Sequence, residues 1–185
     1  MLKDLLKTTE EHMRGVIEAT KREFVAVRTG RANPAILDRV VVEYYGVPTP
    51  LNQVGNVLAP EPRLLVIQPW ERNMLGPIEK AILKSDLGLV PNNDGHVIRI
   101  TIPPLTEERR RELVKLVRRE AEEKRVAIRN VRREANEKIK TMQKAGEITE
   151  DQEKKALDDV QKLTDKYIEE IEKLLEAKER EIMEV

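Results

Sequence analysis

The segment RVAIRNVRREAN, residues 125–136, concentrates guanidinium groups, because four of the nine positions from 125 to 133 are arginine. An arginine side chain presents a planar fork of N–H donors that bonds phosphate oxygens in pairs or stacks on a nucleic-acid base. The chain of 185 residues nevertheless holds 34 basic and 34 acidic residues, so its formal charge is zero. The question is whether these arginines share one surface, and what such a surface would bind.

The charges are divided between two neighbouring segments. Residues 107–144 hold 14 basic and 8 acidic residues, a net charge of +6, whereas residues 150–185 hold 7 basic and 13 acidic residues, a net charge of −6. The neutrality of the chain is therefore a cancellation, and it does not exclude a strongly basic local surface.

A stripe of arginines is expected on the basic segment if that segment is helical. At 100° per residue, five arginines fall within about 40° of the middle one and only Glu122 intrudes among them. The members of this arginine stripe are Arg111, Arg118, Arg125, Arg129 and Arg132. Their mutual repulsion favours a polyanionic target, and the absence of interleaved aromatic residues favours the backbone of structured RNA or DNA. The alternative is a solvated face whose arginines pair with the acidic segment that follows.

Hydrophobic periodicity predicts three long amphipathic helices over residues 2–28, from Thr106 to about 144, and from Thr149 onward. Short connections make an antiparallel three-helix bundle the expected arrangement, and Gly146 argues against a continuous coiled-coil dimer. The expected apolar seam of the second helix contains Val117, Ala121, Ile128, Val131, Ala135 and Met142, interrupted by Lys124 and Lys138. That of the third contains Ala156, Val160, Leu163, Tyr167, Ile171, Leu174, Lys178 and Ile182.

Residues 31–105 have a different character and predict an inserted β/α/β domain, which makes the fold class α+β. Strands are expected within residues 38–46, 63–70 and 96–103, and a helix within 71–86. Trp70 is expected in the core beside that helix. The predicted domains are residues 1–30 with 106–185, forming the bundle, and the insertion itself.

Two chain crossings join an insertion to its host, and a pair of close crossings acts as a hinge with a preferred axis. Gly30 loosens one crossing and two consecutive prolines stiffen the other. The predicted hinge residues are Thr29, Gly30, Arg31, Pro103, Pro104 and Leu105.

Catalytic and metal-binding patterns are missing from the sequence. There is no cysteine, the two histidines fall in different predicted domains, and no phosphate-binding glycine loop or nucleophile elbow occurs. These observations predict a protein that is not an enzyme and that needs neither cofactor nor metal. No signal peptide or membrane span is apparent, so a reducing cytoplasm is the expected compartment.

Six blocks of sequence, in order along nearly the whole chain, resemble the bacterial ribosome recycling factor family. They are RTGRANP (28–34), VEYYG (42–46), SDLGL (85–89), PPLTEERR (103–110), RVAIRNVRREAN (125–136) and DVQKLTD (159–165). Val90 departs from the asparagine that the family more often carries at this position.

The resemblance implies an L-shaped protein in which a three-helix bundle and a β/α/β domain meet at a two-stranded hinge. It also implies that the protein, as a monomer, splits post-termination ribosomes into subunits together with elongation factor G and GTP. The bundle would bind large-subunit rRNA, with Arg129 and Arg132 matching the family's key arginines and Arg28 as a lesser contact. The inserted domain would face the small subunit and be pushed by elongation factor G.

Two other functional classes stay open on pattern alone. A helical scaffold would bind acidic or helical proteins and would need no RNA. An enzyme with its cleft at the hinge would need titratable residues there, and those segments offer only Arg28 and Arg31.

Overall fold

The computed structural model describes residues 1–184 and divides them into two compact units, residues 1–28 with 107–184 and residues 29–106. The helical unit contains α1 (Leu2–Ala26), α3 (Glu107–Lys144) and α4 (Glu150–Met183). The sheet unit contains the strands and one further helix, α2 (Leu75–Lys84). The α+β class expected from the sequence is confirmed.

In the helical unit, α1, α3 and α4 each pack against the other two, which forms the expected three-helix bundle. Helix α3 has 38 residues and is therefore about 57 Å long at 1.5 Å per residue. Helix α1 ends at Ala26, two residues before the predicted end, because the backbone of Val27 is extended. Its buried face consists of Thr9, Met13, Ile17, Thr20 and Phe24.

The buried seams of α3 and α4 differ from the predicted ones at a few positions. Ile139 is fully buried, whereas Val131 and Met142 are only half-buried; Met142 lies in the last turns of α3 and lines a groove open to solvent. In α4 the buried residues include Thr164 and Leu175, while the predicted Leu163 and Leu174 lie half-buried on the flank of the seam.

A polar residue can occupy the seam where its side chain finds a partner. The hydroxyl of Thr164 donates a hydrogen bond of 2.8 Å to the carbonyl of Val160, one turn earlier. Lys124, which interrupts the predicted seam of α3, forms an ion pair of 2.9 Å with Glu23 of α1 and is only 17% exposed. These contacts explain why hydrophobicity alone did not locate every buried position.

The connection from α3 to α4 is closely specified by the sequence. Helix α3 ends at Lys144. Two residues later, Gly146 adopts a positive φ of 76°, which a glycine reaches without strain and which turns the chain away from the helix axis. Thr149 then caps α4, because its side chain accepts from the backbone N–H of Gln152 while the Gln152 side chain accepts from the backbone of Thr149. The predicted start of α4 at Thr149 is confirmed.

The sheet unit contains two antiparallel sheets. Strands β1 (Val41–Tyr44) and β2 (Val47–Pro50) form a hairpin, and a four-stranded sheet has the order β3-β4-β6-β5. The strands of the second sheet are β3 (Gly55–Glu61), β4 (Leu64–Pro69), β5 (Pro91–Asn93) and β6 (Ile98–Thr101). The core between sheet and helix includes Leu65, Ile67, Ile78, Ile82, Ile98 and Ile100, all fully buried.

The three predicted strands correspond to β1, β4 and β6, whereas β2, β3 and β5 were not predicted. Strand β2 contains two prolines, β5 has three residues, and β3 is an edge strand whose residues are mostly exposed. None of them carries the run of β-branched residues that identifies a buried strand. Trp70 is 67% exposed, so the expectation that it belongs to the core is wrong.

A buried tyrosine hydroxyl links α4 to α1. Tyr167 donates a hydrogen bond of 2.9 Å to the Glu10 carboxylate, and Arg14 bonds both groups. The bond from Tyr167 lowers the pKa of Glu10. An ionised Glu10 therefore stabilises the fold above the ordinary glutamate pKa of about 4.3, and this contribution is lost as the pH falls through the lower folded-state value.

Tyr167→Phe removes this hydrogen bond without changing the apolar volume of the side chain. We expect it to lower the free energy of unfolding by about 1 kcal/mol at pH 7, and by progressively less as the pH falls through the lowered pKa of Glu10. Urea unfolding of both proteins over a series of acidic pH values measures the difference. Tyr45→Phe, at a side chain 70% exposed, is the matched control and should have a smaller effect. Equal stability of Tyr167→Phe and the wild type at pH 7 would contradict this role.

Candidate nucleic-acid interface

The predicted arginine stripe lies along α3, on the flank of the helix that faces α4. The guanidinium Nε of Arg118 lies 2.5 Å from Glu179 of α4. Arg125 forms one ion pair with Glu172 of α4 and a second, of 2.8 Å, with Glu122 of its own helix. These hydrogen bonds, to Glu179 and Glu172 respectively, raise the pKa of both arginines.

The other three stripe arginines have looser contacts or contacts with α3 alone. Arg129 lies 3.5 Å from Glu122, and Arg132 donates a bond of 3.4 Å to the side-chain oxygen of Gln161 on α4. Arg111 pairs at 2.7 Å with Glu107, one turn earlier on α3. The contacts of Arg129 and Arg132 are longer than the usual 2.7–3.2 Å of a good hydrogen bond.

The sequence predicts a single exposed stripe, but the five arginine side chains differ widely in exposure. The side chain of Arg111 is 73% exposed and that of Arg129 is 40% exposed, whereas that of Arg125 is only 18% exposed. A position about 60° to 120° from the buried seam of a helix points toward the neighbouring helix rather than away from it. For Arg118 and Arg125, the pairing with acidic α4 that was the alternative interpretation is what the structure shows.

Further cations lie on α3 outside the predicted stripe. Lys115, Arg119, Arg133, Lys140 and Lys144 are exposed, and among the described residues they make no hydrogen bond or ion pair. The sequence contained a signal for them, because they fall about 140° to 200° from the seam residue Val117. A position on the side of the helix opposite the buried seam therefore predicts an exposed side chain better than membership of an arginine cluster does.

The predicted hinge segments meet within the sheet unit. Gly30 has a positive φ of 78°, and a Cβ atom there would lie 3.1 Å from Cγ of Leu105. The two crossings are therefore in van der Waals contact at the position that lacks a side chain. Thr29 is buried at 4% exposure, while Arg31, Pro103 and Pro104 are exposed.

Both crossings are attached to the turn between β3 and β4. The backbone N–H of Ala32 donates a hydrogen bond of 2.7 Å to the carbonyl of Pro62. The backbone N–H of Ile102 donates one of 2.8 Å to the carbonyl of Arg63. Neighbouring residues of one turn thus hold both chain segments. The six predicted hinge residues lie just outside these two anchoring bonds, toward the helical unit along the chain.

The comparison with known protein families identifies the chain. The model of the ribosome recycling factor family matches residues 20–183. A ribosome-recycling factor of Carboxydothermus hydrogenoformans is 59% identical over 185 residues, and that of Halalkalibacterium halodurans is 60% identical, in each case over the full length of both chains. The chain belongs to the ribosome recycling factor family. The resemblance seen in the six sequence blocks is confirmed.

Solved structures of the family support the same assignment. The solution structure of a ribosome recycling factor is 50% identical, covers 100% of this chain and 98% of its own, and superimposes with a TM-score of 0.78. A second structure comes from models of the T. thermophilus ribosome recycling factor and the E. coli elongation factor G bound to the E. coli post-termination complex. Its recycling factor is 51% identical, matches over 99% of both chains and superimposes with a TM-score of 0.66. Among residues 1–184, no helix is long and apolar enough to cross a membrane.

The contacts of the stripe predict which arginines hold α3 against α4. In a double-mutant cycle, Arg125→Gln and Glu172→Gln should show a coupling energy of about 0.5–1 kcal/mol, as expected of a partly buried ion pair. Arg132→Gln and Gln161→Ala form the control cycle and should couple by less than about 0.3 kcal/mol, because their contact is long. Urea unfolding of the single and double variants measures both energies. Equal coupling in the two cycles would contradict this division of the stripe.

Proposed function

We propose that this protein is a translation factor that splits post-termination ribosomes into subunits, acting together with elongation factor G and GTP. The observation that carries the proposal is the identity of 59% over the full length to a curated ribosome-recycling factor. The family member solved with elongation factor G on a post-termination complex supports the partner. The protein would act as a monomer in the cytoplasm, where its substrate is found.

The helical unit would bind large-subunit rRNA through α3. Helix α3 carries the basic excess of the chain, a net charge of +6 over residues 107–144. Arginine forks bond pairs of phosphate oxygens, and structured RNA is recognised largely through its backbone and shape. Near-zero net charge over the whole chain would limit nonspecific attraction to other RNA.

The six arginines proposed as rRNA contacts would contribute unequally. Arg129 and Arg132 are the strongest candidates, because contacts of 3.5 Å and 3.4 Å are exchanged for phosphate at little cost. Arg111 and Arg28 are exposed and would add further contacts. Arg118 and Arg125 would contribute less, because a phosphate would have to compete with carboxylates of α4 for their guanidinium groups.

The protein itself would perform no covalent chemistry. GTP hydrolysis would belong to elongation factor G, and the recycling factor would convert the resulting motion into separation of the subunits. This requires a stiff element and a hinge. Helix α3, with ion pairs to both neighbours, supplies the first. The second would be the segments 29–31 and 103–105, which lie beyond the anchoring bonds of the sheet unit.

Light scattering of post-termination ribosomes tests the proposed function. Ribosomes are mixed with this protein, elongation factor G and GTP, and each component is omitted in turn. We expect a drop in scattering that requires all three, because subunit separation lowers the mean particle mass. Tight ribosome binding without a drop would reject recycling and leave an RNA-binding protein of the same family.

Lengthening one crossing tests the hinge. Two glycines inserted between Pro104 and Leu105 should leave ribosome binding within about twofold but abolish splitting, because a slack crossing does not transmit force. The insertion is preferable to Gly30→Pro, since proline fixes φ near −65° whereas Gly30 stands at 78°.

The control carries the same two glycines after Gly88, an exposed position in the loop that precedes β5. It should split ribosomes as the wild type does. Equal loss of binding and splitting in the Pro104–Leu105 insertion would show that these segments serve the fold or the binding surface and not a hinge.

A further inference from the structure

The face of α3 that points away from the bundle carries pairs of basic residues spaced four apart. The three pairs are Lys115 with Arg119, Arg129 with Arg133, and Lys140 with Lys144. From Val117 in the buried seam, the pairs are centred at rotations of about 180°, 140° and 160° at 100° per residue. The first and third pairs and Arg133 therefore point away from α1 and α4, whereas Arg129, 120° from Val117, lies at the edge of this face. We call the three pairs the outer pairs.

The outer pairs are separated along the helix by regular distances. The first and second begin 14 residues apart and the second and third 11 residues apart, which corresponds to about 21 Å and about 17 Å of helix. Together they extend over about 43 Å, from Lys115 to Lys144. This length is most of one side of the bundle.

Within the described residues, the fold satisfies only one of these six cations. Arg129 is 40% exposed and reaches Glu122 at 3.5 Å, and the other five have no hydrogen bond or ion pair. Like charges four residues apart destabilise a helix by roughly 0.2–0.5 kcal/mol per pair. Among the ion pairs of the described residues, only that of Arg129 with Glu122 offsets the repulsion that the outer pairs add to α3.

The acidic residues of α3 do not neutralise this face. Glu122 is already bonded to Arg125 and Arg129. Glu112 pairs with Arg109, whereas Glu134 and Glu137 lie between the second and third pairs and form no ion pair among the described residues. In contrast to the flank that faces α4, the outer face lacks a neighbouring acidic helix.

We propose that the outer pairs, together with Arg132, are the principal phosphate contacts of α3, whereas Arg118 and Arg125 hold α3 against α4. This inference rests on the proposed function, because it assigns a surface of α3 to the rRNA that the family function requires. It adds Lys115, Arg119, Arg133, Lys140 and Lys144 to the RNA-binding residues. It also assigns the two best-paired arginines of the stripe a structural role.

An RNA backbone fits the outer pairs better than an acidic protein does. Cations distributed over about 43 Å of a straight helix match a polymer that repeats its charge, whereas protein interfaces concentrate binding energy in a central apolar cluster. The only large apolar side chain exposed on this face is Val126, at 45%. No aromatic residue lies on α3, so the contacts would be to phosphate and sugar and not to stacked bases.

Salt-dependent binding to purified large ribosomal subunits tests the proposal. Fluorescence anisotropy gives the affinity between about 50 and 200 mM salt for the wild type and four double variants. Two remove outer pairs, Lys115→Gln with Arg119→Gln and Lys140→Gln with Lys144→Gln. The third, Arg28→Gln with Arg132→Gln, removes two contacts expected from the family resemblance that lie outside the outer pairs. The fourth, Arg118→Gln with Arg125→Gln, is the matched control.

Each outer-pair variant should lower the slope of log affinity against log salt by roughly 1.5, since each lost phosphate contact is worth roughly 0.7–0.9. Their urea unfolding midpoints should equal or exceed that of the wild type. The control should lower the slope by less than about 0.7, the value of one phosphate contact, and should unfold at lower urea. Wild-type slopes in both outer-pair variants would overturn the proposal, as would loss of slope confined to the control.

The third variant separates this inference from the proposed function. If Arg28→Gln with Arg132→Gln loses slope while both outer-pair variants do not, the protein binds rRNA as proposed but not through the outer pairs. If the wild type itself binds large subunits without salt dependence, the phosphate assignment fails, whereas light scattering decides independently whether the protein splits ribosomes. Photo-cross-linking from position 119, after Arg119→p-benzoylphenylalanine, should label RNA; exclusive labelling of a ribosomal protein would overturn the phosphate assignment.

Discussion

The pairing of a basic α3 with an acidic α4 beside the apolar seam determines which cations of the helical unit are held by a carboxylate of α4. Net charges of +6 and −6 on the two segments produce a neutral chain and a flank at which guanidinium groups meet carboxylates. The ion pairs of Arg118 and Arg125 stand beside an apolar seam that contains Val117, Ala121 and Ile128. Partial burial reduces solvent screening at Arg125, and its two carboxylate partners offset the cost of removing the guanidinium group from water.

This interaction also limits what the basic helix can offer to a partner. A guanidinium group held by a carboxylate of α4 is available to a phosphate only if that carboxylate is displaced. A cation on the outer face has no such competitor. Two classes of arginine on one helix, separated by less than a third of a turn, therefore have different chemistry. Both classes consist of the same residue type, and whether a carboxylate of α4 lies opposite the guanidinium group decides the class to which an arginine belongs.

In the sheet unit, backbone contacts have the corresponding role. Ala32 and Ile102 are bound to adjacent carbonyls of the β3–β4 turn, which sets where each crossing leaves the sheet. Gly30 lets the two crossings touch, since any side chain there would meet Leu105. These two hydrogen bonds and the close approach at Gly30 thus determine where the crossings leave the unit.

Much of the fold was predictable because local rules act over a few residues. The capping box at Thr149, the positive φ of Gly146 and the 3.6-residue period of the helices are all encoded within one or two turns. The inserted strands β1, β4 and β6 were found for the same reason, since β-branched residues mark buried strands. The family was recognisable from six short blocks that lie in order along the chain.

Tertiary structure decided the rest, because it selects the partner of each side chain. Strand β3 forms an edge only by pairing with β4, and Trp70 is exposed although its type suggests a core. Likewise, sequence alone placed five arginines within one sector of α3. Only the position of α4, which brings Glu172 and Glu179 to that sector, distinguishes the arginines that hold the bundle together from the cations that remain available for binding. Periodicity gives the direction of a side chain from its own helix axis, and the packing of a second helix determines what it meets there.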